Sequence, residues 1–420
     1  MSKKLYTFLP LVKLFVIFSF SLTLISSCAK EEQITINIFN WYSPDEEVFL
    51  DALKHKVEKE LPNVTIEFEQ VVWDKMHPFL ASKIAAGTVP DILDLKGQDI
   101  NKYGGEGVLL DLSGQTFLDN IPSSAREYMK VDGKEYGVPY TALYQGVFYN
   151  RDIFKKYNLD IPETTAELEK IVKTLESNGV IPFATHYKDN WNIGNITMQF
   201  AMSEVFNKNP RWGYELYDGR QTFEESEGYT RVFQHAKYLY DHSWKDTYSV
   251  DLAECDKRFA DGEAAMNVSG TWSIMYFERL NPDLNYGIFP FPGKDAGAKL
   301  IFEPDHTWAV SANTKHKDIV LKILEIIASD KELATIEIDA SKTNSLLIGV
   351  NPSKEYSFTK DIEKYKNNNK IIDVSIGNVQ IKWPYQEEYS RYITEWILGE
   401  KTLQNALKEA TIYKEKITLK

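Results

Sequence analysis

The chemistry open to this 420-residue sequence rests on two cysteines, seven histidines, 61 acidic residues and a large stock of aromatics. No Gly-x-x-x-x-Gly-Lys-Ser/Thr loop, His-Glu-x-x-His, Cys-x-x-Cys or Gly-x-Ser-x-Gly occurs. Nucleotide hydrolysis, zincin chemistry, thiol redox chemistry and the hydrolase nucleophile elbow therefore lack their usual marks. A glycoside hydrolase needs only two carboxylates flanking a bond in an aromatic cleft; the 61 acids make such a pair easy to imagine, and none stands out. The nine Trp and 24 Tyr suit a different chemistry. A ligand with an apolar C–H face and a rim of hydroxyls, as a sugar has, is held by flat aromatic platforms and planar polar side chains. Abundance does not decide this, because aromatics also fill cores. Position does more: Trp41 and Tyr42 stand at the carboxyl end of the first expected strand, where ligands bind in open α/β sheets, and Trp73 follows the second.

The elements that must position these residues are legible in the pattern. Ile34-Thr35-Ile36-Asn37-Ile38 alternates as a strand does. Ser43 as N-cap, Pro44 at the first helical position and Glu46 three residues after the cap open a helix whose apolar face is Phe49, Leu53, Val57 and Leu61, and Pro62-Asn63 ends it. A strand over Val64 to Phe68, an amphipathic stretch from Phe79 to Ala86 and a short apolar run at Ile92-Leu93 follow. Strand, helix, strand, helix, strand predicts a parallel α/β sheet. Thr164 and Glu167 form a second capping box before Leu168, Ile171, Val172 and Leu175, with Gly179 as C-cap, which implies a second α/β lobe. The length also favours two cores over one. Asp132-Gly133 suits a tight hairpin turn; Pro90 is expected to fix a strand entry and Asp91 to cap a neighbouring helix. The formal net charge of −13 repels nucleic acid and anionic lipid head groups, so no nucleic-acid partner is expected.

Two resemblances then enter. The run Ile25-Ser26-Ser27-Cys28, behind an apolar or hydroxylic segment from Leu14 to Ile25 and the charged Lys3 and Lys4, resembles the bacterial lipobox. That segment fits an export signal and is too short to span a bilayer as a helix. The resemblance implies a signal over residues 1–27, acylation of Cys28, a tether over 28–33 and a body held outside the cytoplasm on the cell envelope by its lipid alone; Lys13 interrupts the apolar stretch and leaves a plain secreted protein or a retained anchor as the other readings. With Cys28 modified, Cys255 has no disulfide partner and reads as a small buried hydrophobe. In the body, Ala85-Ala86-Gly87-Thr88-Val89-Pro90-Asp91-Ile92, Gly107-Val108-Leu109-Leu110-Asp111-Leu112, Asp132-Gly133-Lys134-Glu135-Tyr136-Gly137-Val138-Pro139, Phe148-Tyr149-Asn150-Arg151-Asp152-Ile153-Phe154, the Pro162 to Leu168 segment, and Phe259 to Met266 with Gly270-Thr271-Trp272 come in one order. Together they resemble the extracellular solute-binding proteins of ABC importers, in the sugar-binding group. Thr165 stands where that group usually has a tryptophan.

The resemblance implies a two-lobe α/β fold of the type II periplasmic-binding class, with residues 34–141 and 308–350 in one lobe and 145–305 and 353–420 in the other. The chain would cross between lobes near Thr141 to Tyr144, His306 to Ala309 and Gly349 to Pro352. It implies a monomeric receptor without cofactor or catalytic residues that captures a mono- or oligosaccharide and delivers it to permease subunits with their ATPase. The ligand-facing loops would carry Trp41, Tyr42, Trp73, Trp191 with Asn192, Trp272, and Tyr385. Lys96, Gln98 and Asp99 would face sugar hydroxyls, with Leu95 where the maltose-type tryptophan is usual. Asp305 and His306, just before the crossover strand, would look into the cleft. A glycoside hydrolase and a surface lectin or adhesin remain the competing readings, the latter having no need of the two-lobed motif series.

Overall fold

The computed structural model describes residues 33–374, 376 and 383–413, so Cys28 and the signal segment lie outside the described residues. The strands Ile34–Asn40, Val64–Gln70 and Ile92–Leu95 are parallel to one another, with Ile34–Asn40 between the other two. Thr307–Val310 adds antiparallel to Ile92–Leu95, and Val138–Pro139 closes that edge. Against this sheet pack the helix Glu47–Glu60, through the fully buried Phe49, Leu53 and Val57, and the helix Lys317–Ser329, through Val320, Ile323, Leu324 and Ile327. Each such side chain contributes about 1.5–3 kcal/mol of transfer free energy. Ser43 and Glu46 form the expected capping box, but on a 3-10 turn, Pro44–Glu46, that precedes the α-helix. That turn carries residues 44 to 46 toward the carboxyl edge of the sheet.

The second sheet runs in the order Ile371–Asp373, Leu300–Pro304, Thr141–Asn150, Ala264–Gly270, Ile181–Ala184, with Tyr286–Phe289 and Asn344–Ser345 also paired to Thr141–Asn150. All ten residues of Thr141–Asn150 are buried, as expected of the central strand of a covered sheet. The helix Thr165–Ser177 begins at the Thr164–Glu167 capping box and buries Leu168, Ile171, Val172 and Leu175. The chain passes from the first sheet to the second after Val138–Pro139, and back between Leu300–Pro304 and Thr307–Val310. It leaves the first lobe again after Val350, since Leu346, Leu347 and Val350 pack in the first core and Tyr356 and Phe358 in a core of the second. Two α/β lobes joined by three passages are the fold class expected from the sequence.

Local expectations fared unevenly. Asp132 and Gly133 both have positive φ, 51° and 77°, and join the antiparallel strands Lys130–Val131 and Lys134–Glu135, as an Asp-Gly hairpin requires. Asp91 does not cap a helix: its carboxylate accepts from the Asn37 N–H at 3.1 Å and the Thr314 hydroxyl at 2.6 Å, tying the first strand to the loop after the crossover strand. Cys255 is fully buried beside Phe259 and Phe277.

Candidate ligand-binding cleft

Both sheets send their ends into one cavity of about 510 Å³. From the first lobe come the residues that follow its three parallel strands: Trp41, Tyr42, Ser43 and Glu46 after Ile34–Asn40, Val72 and Trp73 after Val64–Gln70, and Lys96 after Ile92–Leu95. This is the carboxyl edge, where side chains of adjacent strands converge without being covered by helices. From the second lobe come Asp189, Trp191 and Asn195 around the start of the helix Asn190–Ala201, Asp251 to Ala253 at the start of Leu252–Ala260, and Trp272, Met275 and Tyr276 beyond the strand Ala264–Gly270. Glu303, Asp305 and His306, on the second passage between the sheets, form the floor together with Ser341 and Thr343.

The first wall is held rigidly. The His306 ring is sandwiched between Trp41, with centroids 4.1 Å apart, and Tyr42, at 4.0 Å, and Trp73 meets Trp41 edge-on at 5.1 Å. His306 Nδ1 lies 2.8 Å from the buried Asp94 carboxylate, and Nε2 lies 3.8 Å from Glu46. Burial opposes the imidazolium, but the Asp94 and Glu46 carboxylates prevail and raise its pKa well above the ordinary histidine value. Lys96 Nζ contacts Asp305 at 2.5 Å and Glu303 at 3.7 Å, and lies 5.3 and 5.4 Å from the Trp41 and Trp73 rings. Burial again opposes the charge, and Asp305 and Glu303 hold the ammonium above its usual range. Glu303 also accepts from Gln145, whose side-chain oxygen accepts from Asn195 at 3.1 Å. A polar chain Lys96–Glu303–Gln145–Asn195 thus runs under the cavity from one lobe to the other.

The second wall owes its shape to a glycine. A Cβ on Gly270 would lie 2.1 Å from the Trp272 ring, so only glycine lets that ring fold back over the strand end toward the cavity. Trp191 meets Trp272 edge-on at 6.4 Å. Asp189 accepts from the Leu252 N–H at 3.0 Å and lies 2.9 Å from His186, which locks the two helix starts together. Over the cavity mouth the lobes touch: Arg279 of the second pairs with Asp45 of the first at 2.6 Å, and Ser43 Oγ lies 3.9 Å from Met275 Sδ.

Of the residues singled out in the sequence, Trp41, Tyr42, Trp73, Lys96, Trp191, Trp272, Asp305 and His306 line this cavity. Asn192 does not: it is buried, and its amide donates to the His186 carbonyl at 2.8 Å, while Asn195, one helical turn on, takes the cavity-facing place. Asp99 does not either; it is turned into the first lobe against His77 at 3.0 Å. The side chains of Gln98 and Tyr385 lie outside the described residues, although Tyr385 belongs to the helix Trp383–Ile397. Glu46, Asn195 and Glu303 were not anticipated. Asn195 is within reach of helical phase, whereas Glu46 reads in sequence as a capping residue and no sequence signal singles out Glu303. Among the described residues one group of metal donors stands out, Glu46, His306 and Glu337, at the base of the first wall.

Two lobes around a cavity, with an aromatic wall on each side and a polar floor on the passages between them, define a solute receptor of the two-lobe kind. Residues 42–334 match the model of the bacterial extracellular solute-binding proteins, and the chain belongs to that family. A multiple sugar-binding protein of Streptococcus mutans is 25% identical over 300 residues, covering 69% of this chain and 70% of its own. A maltodextrin-binding protein of Bacillus subtilis is 25% identical over 293 residues, 67% of this chain and 66% of its own. Among solved structures, a Bacillus licheniformis sugar transporter in complex with stachyose superimposes with a TM-score of 0.79 at 21% identity, covering 92% of this chain and 100% of that one. The solute-binding protein RafE in complex with raffinose gives 0.77 at 22% identity, over 91% and 99%. The fold is the type II solute-binding fold. The chain is accordingly an extracytoplasmic receptor and not an enzyme.

Proposed function

We propose that this chain is the lipid-anchored carbohydrate receptor of an ABC importer, closing its lobes over a mono- or oligosaccharide and presenting the closed form to a permease whose ATPase resides on other chains. The observation that carries the reading is the cavity itself. Four tryptophans, Trp41, Trp73, Trp191 and Trp272, stand on its two walls above a charged floor, which supplies stacking faces for C–H groups and acceptors for hydroxyls. The indole N–H groups of Trp41 and Trp272 are buried without a hydrogen-bond partner in this form. The names of the relatives, with raffinose and stachyose bound in two structural neighbours, agree with a sugar. Closure is favoured when a ligand contacts both lobes at once, because only the closed form makes both sets of contacts.

The body divides into a first lobe of residues 34–141 and 308–350 and a second of 145–305 and 353–420; the two sheets support this up to Asp373, with Asn344–Ser345 pairing into the second sheet beside the passage between lobes. The Ile25 to Cys28 run supports the signal over 1–27 and a membrane attachment through the lipid alone; the receptor is taken to act as a monomer. Tyr385 and Gln98 complete the proposed ligand set. A thermal-shift screen against mono- and oligosaccharides tests the central reading, since a ligand of the native state raises the melting temperature by mass action. Failure of every carbohydrate to shift it, alongside a shift by a different solute class, contradicts the proposal. Labelled fatty acid incorporated in a bacterial host should disappear in Cys28→Ala; equal labelling of the variant removes the anchor.

A further inference from the structure

Glu337, on the helix Lys331–Ser341, is fully buried, and neither of its carboxylate oxygens has a hydrogen-bond partner. A buried acceptor left in this way is costly, and native structures rarely tolerate one without a use for it. Beside it lie Glu46 and His306. One donor atom from each of the three residues is within 4.8 Å of the other two. Glu46 Oε2 is engaged by the Ser43 N–H at 2.8 Å and hydroxyl at 2.6 Å, which leaves Oε1 facing His306 Nε2 at 3.8 Å. The opposite ring nitrogen, Nδ1, sits on Asp94 at 2.8 Å, and the ring plane is clamped between Trp41 and Tyr42. A carboxylate behind the imidazole, the ring fixed, Nε2 facing Glu46, and Glu337 in the same cluster of donors make the arrangement of a histidine that ligates a metal with a supporting second partner.

We infer that Glu46, His306 and Glu337 form a binding site for a divalent transition-metal ion, of the zinc or manganese kind, at the base of the first wall. One imidazole with two carboxylates suits such ions, whereas calcium takes six to eight oxygens, more than the set provides. Ligands about one ion at ~2.1 Å stand ~3.4 Å apart in tetrahedral geometry, so the three donors need to draw together by about an ångström. The ion takes the place of the protons on His306 Nε2 and on the Glu337 carboxyl, both of which are released on binding. It supplies positive charge where Glu46, Glu337 and Asp94 supply three carboxylates, and it pins the Trp41–His306–Tyr42 stack that faces the cavity. The inference does not rest on which solute fills the cleft.

Equilibrium dialysis of the chelator-stripped full chain against Zn2+, followed by metal analysis and a melting curve, tests it without sugar present. The expected result is one zinc retained per chain and a higher melting temperature with the metal. Glu337→Gln removes an unpartnered carboxylate rather than a contact, so it should keep the metal-free melting temperature while weakening zinc binding at least a hundredfold. Asp94→Asn, which touches only the back of the imidazole, should weaken it ten- to a hundredfold. No stoichiometric zinc in the wild type, or undiminished affinity in either variant, overturns the site and leaves Glu337 to the neighbouring hydroxyls of Tyr42 and Tyr140, which are also buried and unpartnered. Should one variant fail to fold, the other decides.

Discussion

Among the described residues, one glutamate in each lobe has its side chain shut off from solvent, Glu204 and Glu337, and the two are treated in opposite ways. Glu204, in the second lobe on the π-helical turn Met202–Phe206, accepts from Arg231 at 2.7 Å and the Lys294 N–H at 2.9 Å and contacts His235 at 3.1 Å. Burial opposes its charge, yet His235 and Arg231 hold its pKa down to about 2. Glu337, in the first lobe behind the cleft, has no partner for either oxygen, and burial with the nearby Glu46 pushes its pKa well above the ordinary value. A carboxylate that serves the scaffold is saturated with donors; one that is left open beside a cleft is free to meet something that arrives later. Asp256 falls between them, with Asn267 donating to one oxygen at 3.0 Å and the other oxygen unpartnered.

The contrast is breakable by substitution. Glu204→Gln should cost about 3 kcal/mol of unfolding free energy in a denaturant titration, because it strips a buried ion pair of its charge, whereas Glu337→Gln should cost the metal-free protein nothing. Equal losses in the two variants would erase the distinction between scaffold and site. Next in size is Trp272→Ala, which should lose about 2 kcal/mol of ligand affinity, about thirtyfold, by removing a desolvated ring face. Its unliganded melting temperature should change little, since a true core tryptophan costs about 3–5 kcal/mol when truncated; a collapsed melting temperature with unchanged affinity assigns Trp272 to the core instead.

Asp256 supplies the pH test. Its pKa is raised to about 8, chiefly by burial. Between about pH 4 and 8 the unfolded chain has lost this proton while the folded one retains it, so its contribution to stability falls as pH rises, by about 1.4 kcal/mol per pH unit, and levels off above the folded pKa. Asp256→Asn should remove that slope, read as the difference between variant and wild-type stability at pH 5 and pH 7; a constant difference contradicts the assignment. The smallest effect belongs to the Asp45–Arg279 pair across the cleft mouth. Both side chains are substantially exposed, so Arg279→Ala should weaken ligand affinity by no more than about 0.5 kcal/mol, and added salt should mask most of that.

Much of this was legible in the chain. The capping boxes at Ser43 and Thr164 and the Asp132-Gly133 hairpin are local devices, written within four residues and realised as such. Trp41 and Trp73 could be placed because a residue that follows a parallel strand is bound to arrive at the carboxyl edge, whereas Lys96 was placed only by the resemblance to the solute-binding family. Asn192 and Asn195 show the limit: the segment was right and the helical phase was not, because phase depends on where the helix Asn190–Ala201 starts against Asp189. Asp99 was misplaced for a similar reason, since its helix Gly97–Gly105 turns it toward His77. Glu337 gave no sign in the sequence at all. It is an ordinary polar position on the helix Lys331–Ser341, and its burial comes from packing against residues 44 to 46, nearly three hundred positions away in sequence.

The cavity between the sheets is proposed as the carbohydrate site. Isothermal titration calorimetry of the wild-type protein and of a Trp41→Ala, Trp272→Ala double variant, each with the carbohydrate that gives the largest thermal shift, tests it most directly. The wild type should show one saturable site per chain and the double variant no measurable binding, with the unliganded double variant still melting cooperatively. Wild-type affinity in a folded double variant would place the ligand elsewhere and contradict it.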